Sequence, residues 1–156
     1  MSGLNEAIAD FLDQRRIAVA GVSRSGKEAA NAVYRKLKGA GYTVFPVNPA
    51  AEEIEGDVCY PNIAAIPAEV DAVFIATHPD VTGEVVRECV ELGIGRVWMH
   101  RSFGRGSVSE EAVEYARAHG VTVIPGGCPM MHVDPVDVGH KCIRWVLRVT
   151  GGLPRV

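Results

Sequence analysis

The sequence predicts an α/β fold, a doubly wound parallel sheet in a single domain, and three observations carry that expectation. Short apolar runs of strand length recur at 17–20, 42–47, 71–76, 96–99 and 121–124. Between them, the segments 27–38, 79–92 and 109–119 place apolar residues at three- and four-residue steps, the period of a helix packed by one face. The run Ala72, Val73, Phe74, Ile75, Ala76 is unbroken by polar residues, as a parallel strand covered on both faces has to be. Strand alternating with helix is the pattern of a sheet with helices on both sides.

Taken in order, Leu4, Ile8, Phe11 and Leu12 share one face of a short N-terminal helix that ends near Arg15. The strand at 17–20 leads through a glycine-bearing turn into a helix over 27–38, carrying Ala29, Ala30, Val33 and Leu37. Gly39 and Gly41 stop that helix, as C-terminal glycines do. The strand at 42–47 closes on Asn48 and Pro49, and a short helical piece at 52–54 and a brief strand at 58–60 follow. Pro79 and Asp80 open the next helix, with Val81, Val85, Val86 and Cys89 on its apolar side. Ser109, Glu110 and Glu111 start another, with acids in the first turn where the helix dipole favours them. An added C-terminal helix spans 135–149. Its stripe of Val138, Cys142, Trp145 and Val149 is expected to pack against the domain, with Lys141, Arg144 and Arg148 on a solvated face. An oligomer interface is the second reading of that helix.

A chain of 156 residues with 47% hydrophobic and 22% charged residues is ordinary for one globular domain. The net charge of −3 argues against bulk nucleic-acid binding, which needs a basic face. No apolar run approaches the roughly 18 residues of a membrane span. The N-terminal stretch, with Glu6, Asp10 and Asp13, has the character of neither a signal nor a transit peptide. Cys59, Cys89, Cys128 and Cys142 are irregularly spaced, which suits free thiols in a reducing cytoplasm better than disulfides.

The turn from Gly21 to Lys27 is the candidate binding element. A strand, a glycine turn and a helix start aim backbone N–H groups and a positive helix end at one spot, which suits a phosphate. The segment matches G-x-x-x-x-G-K but ends on Glu28 where a nucleoside-triphosphate loop needs a hydroxyl for magnesium. Gly21, Ser23 and Gly26 occupy the positions of a dinucleotide fingerprint, with serine replacing the glycine that lets backbone approach a pyrophosphate. The second strand closes on Asn48, where an NAD site wants an acid for the ribose. What fits is an ADP-containing ligand whose phosphates are met by hydroxyls and cations as well as backbone: Ser23, Arg24, Ser25 and Lys27. An empty structural turn is the competing reading.

Gly21, Val22 and Ser23, the segment Pro46 to Pro49, Ile66 and Pro67 leading into Val70 to Val73, Trp98, and Gly127, Cys128 and Pro129 together resemble the CoA-binding domain family. This Rossmann-like module also forms the N-terminus of the succinyl-CoA synthetase alpha subunit, and the likeness covers about 15–131. The resemblance implies coenzyme A or an acyl-CoA as ligand. It assigns the phosphates to Ser23, Arg24, Ser25, Gly26 and Lys27, and the nucleotide part to Val47, Asn48 and Pro49. Thr77 and His78 after one strand, and His100, Arg101 and Ser102 after the next, would flank the pantetheine arm. Many small relatives carry arginines where this chain has Ala76, Thr77 and His78. The synthetase's phosphohistidine domain has no counterpart in these residues, so the resemblance implies a non-catalytic or regulatory CoA-binding protein, cytoplasmic, possibly a homodimer, without nucleic-acid or membrane partners. The alternatives are an NADP- or CoA-linked oxidoreductase or acyltransferase, or a subunit of one, and a scaffold with a vestigial pocket.

Cys128 follows the last strand at the ligand edge of the sheet. It reads either as a small residue in a tight turn or as a thiol facing that of CoA, able to form a mixed disulfide under oxidation. His132, His140 and Cys142 fall in no zinc-ligand spacing. His100 reads as a ligand contact.

Overall fold

The computed structural model describes residues 2–152. The chain ends of the single-domain reading, Met1 and 153–156, lie outside the described residues. Helix α1 (Ser2–Asp13) precedes β1 (Arg16–Ala20), α2 (Ala29–Gly39) and β2 (Thr43–Val47). A small antiparallel hairpin, β3 (Glu53–Ile54) and β4 (Asp57–Val58), comes next. Then follow β5 (Ala72–Ile75), α3 (Pro79–Glu91), β6 (Arg96–Met99), α4 (Glu110–Ala118), β7 (Thr122–Pro125), a 3-10 turn (Pro129–Met131) and α5 (Val138–Val149).

The five longer strands form one parallel sheet in the order β2-β1-β5-β6-β7. The order of winding reverses between β1 and β5, and in such sheets ligands bind in the crevice beyond the carboxyl ends at that point. Asp71 fixes the entry ends of these two strands. It accepts from the Arg16 backbone N–H at 3.0 Å and from Arg16 Nε and Nη2 at 3.1 and 2.8 Å. Pro46 sits in β2, an edge strand, where a missing N–H is tolerated.

Side chains alternate between two cores. Ile17, Val19, Phe74, Trp98 and Ile124 join Phe11 of α1, Val33 and Leu37 of α2, and Leu147 of α5 on one face. Ala18, Val73, Ile75, Val97 and Met99 meet Val86 and Cys89 of α3 and Ala112 and Ala116 of α4 on the other. Trp98 is fully buried, edge-on to Phe11 at 5.3 Å, and its Nε1–H donates to the Gly126 carbonyl at 2.8 Å. A buried indole N–H needs such a partner.

Four expectations change. The piece at 52–54 is a strand, not helix, because Glu55 and Gly56 both adopt positive φ (55° and 81°), the geometry of a two-residue hairpin turn. Its partner strand starts at Asp57 and ends at Val58, and Tyr60 makes only a single parallel bridge to Val47. The stripe of α5 is turned outward: Val138, Trp145 and Val149 are 74%, 66% and 66% exposed, and the helix packs through Leu147 and Ile143 instead. Pro135 lies before α5, which opens at Val138 because Asp137 caps it, accepting from the His140 backbone N–H. Among the described residues no helix is long and apolar enough to cross a membrane.

Candidate functional site

Gly21 follows β1 with φ of 103°, and a Cβ there would lie 2.4 Å from the Ala76 carbonyl oxygen. The glycine is therefore demanded by the crossing of the β1 and β5 loops. Beyond it the chain turns from Ser23 to Gly26, whose N–H donates to the Ser23 carbonyl at 3.2 Å. The two serines hold the turn from inside. Ser23 Oγ accepts from the Ser25 N–H at 3.2 Å, and Ser25 Oγ from the Lys27 N–H at 3.4 Å.

Asn31, wholly buried in the first turn of α2, braces this loop from below. Its Oδ1 accepts from the Ser23 N–H at 2.8 Å, and its Nδ2 donates to the Ser23 carbonyl at 2.8 Å and to Glu55 Oε1 at 3.0 Å. Glu55, at the hairpin turn, also accepts from Arg35 Nη1 at 2.5 Å, and the same Nη1 donates to the Gly26 carbonyl at 3.2 Å. Glu28, the residue before α2, is extended (ψ 155°) and its side chain makes no capping bond to the helix. Arg24 and Lys27 are exposed on the loop.

Beside the loop lies a cavity of about 510 Å³. Gly21, Val22 and Ser23 form one wall, Val47, Asn48 and Pro49 a second, and Ala76, Thr77 and His78 a third. Asn48 ties two of these walls together, its Nδ2 donating to the Val22 carbonyl at 2.8 Å. The rest of the lining is Ile63 and its neighbours Pro61 and Asn62, with Val81, Glu84, Val85 and Glu88 from α3 and Glu28. Glu88 holds the 61–64 segment against α3 by accepting from the Ala64 N–H at 2.8 Å. His78 caps α3, its Nδ1 accepting from the Asp80 N–H at 3.4 Å.

The candidate residues thus divide. Gly21, Ser23, Val47, Asn48, Pro49, Thr77 and His78 share the cavity wall. Arg24, Ser25, Gly26 and Lys27 continue the loop beyond that lining. His100, Arg101 and Ser102 follow β6, one strand further along the sheet, and are not among the cavity's lining residues. His100 stands edge-on to Phe74 at 6.0 Å, and burial, with His140 adding, lowers its pKa, so the ring is neutral at pH 7. The Arg101 backbone N–H donates to the Gly127 carbonyl at 3.0 Å, joining the β6 and β7 loops. Cys128 is buried in the core with Met131 and Trp98, and desolvation pushes its thiol up to about 11. It is held as a thiol away from the cavity. His132 packs against Trp98 and is held down to about 4 by burial, reinforced by Arg144 and Arg148.

Sequence reasoning missed the Asn31–Glu55 brace and the α3 wall. Asn31 carried a signal: it stands three residues before Tyr34 on the buried side of α2, and a buried amide requires partners.

The sequence profile of the CoA binding domain matches residues 15–134. The chain is 37% identical over 125 residues to acetate–CoA ligase [ADP-forming] II of Archaeoglobus fulgidus, covering 74% of this chain and 18% of that protein. It is 34% identical over 125 residues to the acetate–CoA ligase [ADP-forming] II subunit alpha of Pyrococcus furiosus, covering 76% and 27%. This chain thus spans under a third of the length of either relative. A solved structure, a hypothetical protein from Pyrococcus horikoshii OT3, superposes with a TM-score of 0.74 at 31% identity, covering 80% of this chain and 85% of that one. Matched over most of its length, the chain belongs to the CoA-binding domain family.

Proposed function

We propose that this single domain binds coenzyme A or an acyl-CoA, with the diphosphate on the loop from Ser23 to Lys27 and the uncharged arm in the adjoining cavity. The observation that carries this reading is the braced glycine–serine loop at the β1/β5 crevice, in a chain of the CoA-binding domain family. A cavity of about 510 Å³ lies in the size range of small-molecule sites, roughly 300–1,000 Å³. Its charges support one orientation. Glu28, Glu84 and Glu88 make the cavity wall unfavourable for phosphates, whereas Arg24 and Lys27 lie on the loop. Val22, Val47, Ile63, Val81 and Val85 suit apolar parts of the ligand. Asn48 spends its amide on the Val22 carbonyl and offers no carboxylate to an NAD ribose, which supports CoA over NAD.

The domain works by binding, without chemistry of its own: Cys128 is a buried thiol and His100 a neutral ring outside the cavity lining. The likeness to an acetate–CoA ligase alpha subunit favours one second reading, service as the CoA-binding part of a larger enzyme. The test is thermal unfolding against CoA, acetyl-CoA, NAD, NADP and ATP. Ligand at a hundredfold excess over its Kd stabilises by about 2.7 kcal/mol, or about 5–11 °C for a domain of this size. CoA or acetyl-CoA alone should give that shift. A shift with NADP alone overturns the reading, and Arg24→Ala should weaken CoA binding about tenfold through the lost charge-assisted contact.

A further inference from the structure

Helix α5 is apolar on two opposite sides. Leu147 and Ile143 face the core, and Arg144 Nη1 donates to the Met131 carbonyl at 2.8 Å, so the helix is anchored without its outer stripe. That stripe, Val138, Cys142, Trp145 and Val149, advances in steps of four, three and four residues, the spacing of a two-helix seam. It lies half a turn from Leu147 at about 100° per residue. Among the described residues nothing covers this face: Trp145 stays 66% exposed, and Val138 and Val149 beside it 74% and 66%. The other exposed large apolar residues, Val58, Val81, Leu92 and Phe103, are scattered over separate elements, so among the described residues only a second α5 offers the matching spacing.

We propose that this stripe pairs two copies of the chain, α5 beside α5 in parallel about a two-fold axis. Charge selects the direction. Lys141 and Arg148 flank the seam on one edge, Gly139 and Val146 on the other, and α5 carries no carboxylate. Antiparallel pairing would set Lys141 against Arg148 of the second copy. Parallel pairing sets Lys141 beside Val146 of the second copy, where its methylene stem covers the valine and its charge stays in water. Because the stripe faces away from Leu147, the two domain bodies project to opposite sides and do not collide. The parallel arrangement also puts both Cys142 thiols in the same layer of the seam, whereas the antiparallel one sets Cys142 against Trp145. Cys142 is the one exposed cysteine among the described residues. A seam of under two heptads is short, which makes this a weak dimer of the transient class.

The experiment is sedimentation equilibrium of the full chain up to about 1 mM, the weak end of specific association, followed by mild copper–phenanthroline oxidation and a non-reducing gel. A concentration-dependent dimer is expected, weakened about tenfold or more by Trp145→Glu and by Val149→Glu, changes of the size seen at buried anchors. Both variants should keep the wild-type circular dichroism. Oxidation should yield a Cys142–Cys142 dimer in the wild type and none in Cys142→Ser. A monomer at the highest concentration overturns the proposal, as does a dimer indifferent to both glutamates. A glutamate-sensitive dimer that never crosslinks overturns the parallel direction. A wild-type monomer that binds anionic phosphatidylserine vesicles through Trp145 overturns it in favour of a lipid surface. None of these outcomes bears on CoA binding, which the thermal experiment tests separately.

Discussion

Replacing Asn31 with alanine tests whether the glycine–serine loop is held by the amide beneath it. The side chain is fully buried and makes three hydrogen bonds of 2.8, 2.8 and 3.0 Å, two to the Ser23 backbone and one to Glu55. A net hydrogen bond contributes about 1 kcal/mol, and a stranded buried donor costs about 1–3 kcal/mol. Ser23 is half-buried, so water reaches part of what is stranded, and Glu55 retains Arg35. The expected loss is about 3 kcal/mol, or about 6–12 °C in Tm for a chain of this size. Urea unfolding should show a lower midpoint with an unchanged slope, because the native surface is nearly the same. CoA affinity should fall as well, since the Ser23 backbone that shapes the loop is no longer held from below. Asn31→Asp keeps the acceptor but sets a carboxylate against Glu55, and should be worse than alanine. Stability within about 0.5 kcal/mol of the wild type and undiminished CoA binding would refute the bracing argument.

Gly21→Ala forces a Cβ to 2.4 Å from the Ala76 oxygen at a φ of 103°. The substitution should destabilise by several kcal/mol, on the order of other severe core clashes, read as a large drop in Tm. The Asp71 carboxyl is held below its ordinary value chiefly by its hydrogen bonds from Arg16. Its stabilising effect is therefore present above pH of about 4, the unfolded value, and fades as pH falls through the lower folded one. Asp71→Asn should lower stability at pH 7 and flatten the acid limb of the stability–pH profile, measured by urea titration; an unchanged limb would count against the clamp. In a thiol-reagent titration Cys142 should react at once, while Cys59, Cys89 and Cys128 wait for unfolding, since burial raises Cys89 to about 12 and Cys128 to about 11.

The five-stranded sheet was readable because each strand obeys a local rule: an unbroken apolar run ended by a turn residue. The hairpin at Glu53 was not, since two-residue strands carry too few side chains to show a period, and the decisive Glu55–Gly56 turn was hidden by an ordinary glutamate taking positive φ. The glycine turn stood out from its spacing. Its support did not, because Asn31 and Glu55 are 24 residues apart and meet only once α2 lies beside the hairpin. The α5 stripe was seen correctly as a stripe and assigned to the wrong side. Periodicity reports that one face is apolar and says nothing about which neighbour covers it, and Leu147 with Ile143 had already filled the inner side.

The brace under the glycine–serine loop also bears on how a ligand is received. Ser23 is fixed by Asn31 from within the protein, and Gly26 by Arg35. A loop ordered before contact loses little conformational freedom when occupied, and that loss is commonly a large opposing term in association. Free and occupied backbones should then agree within about 1 Å. Selectivity follows from the same rigidity: a ligand that does not match the shape of the fixed loop finds no backbone ready to rearrange around it.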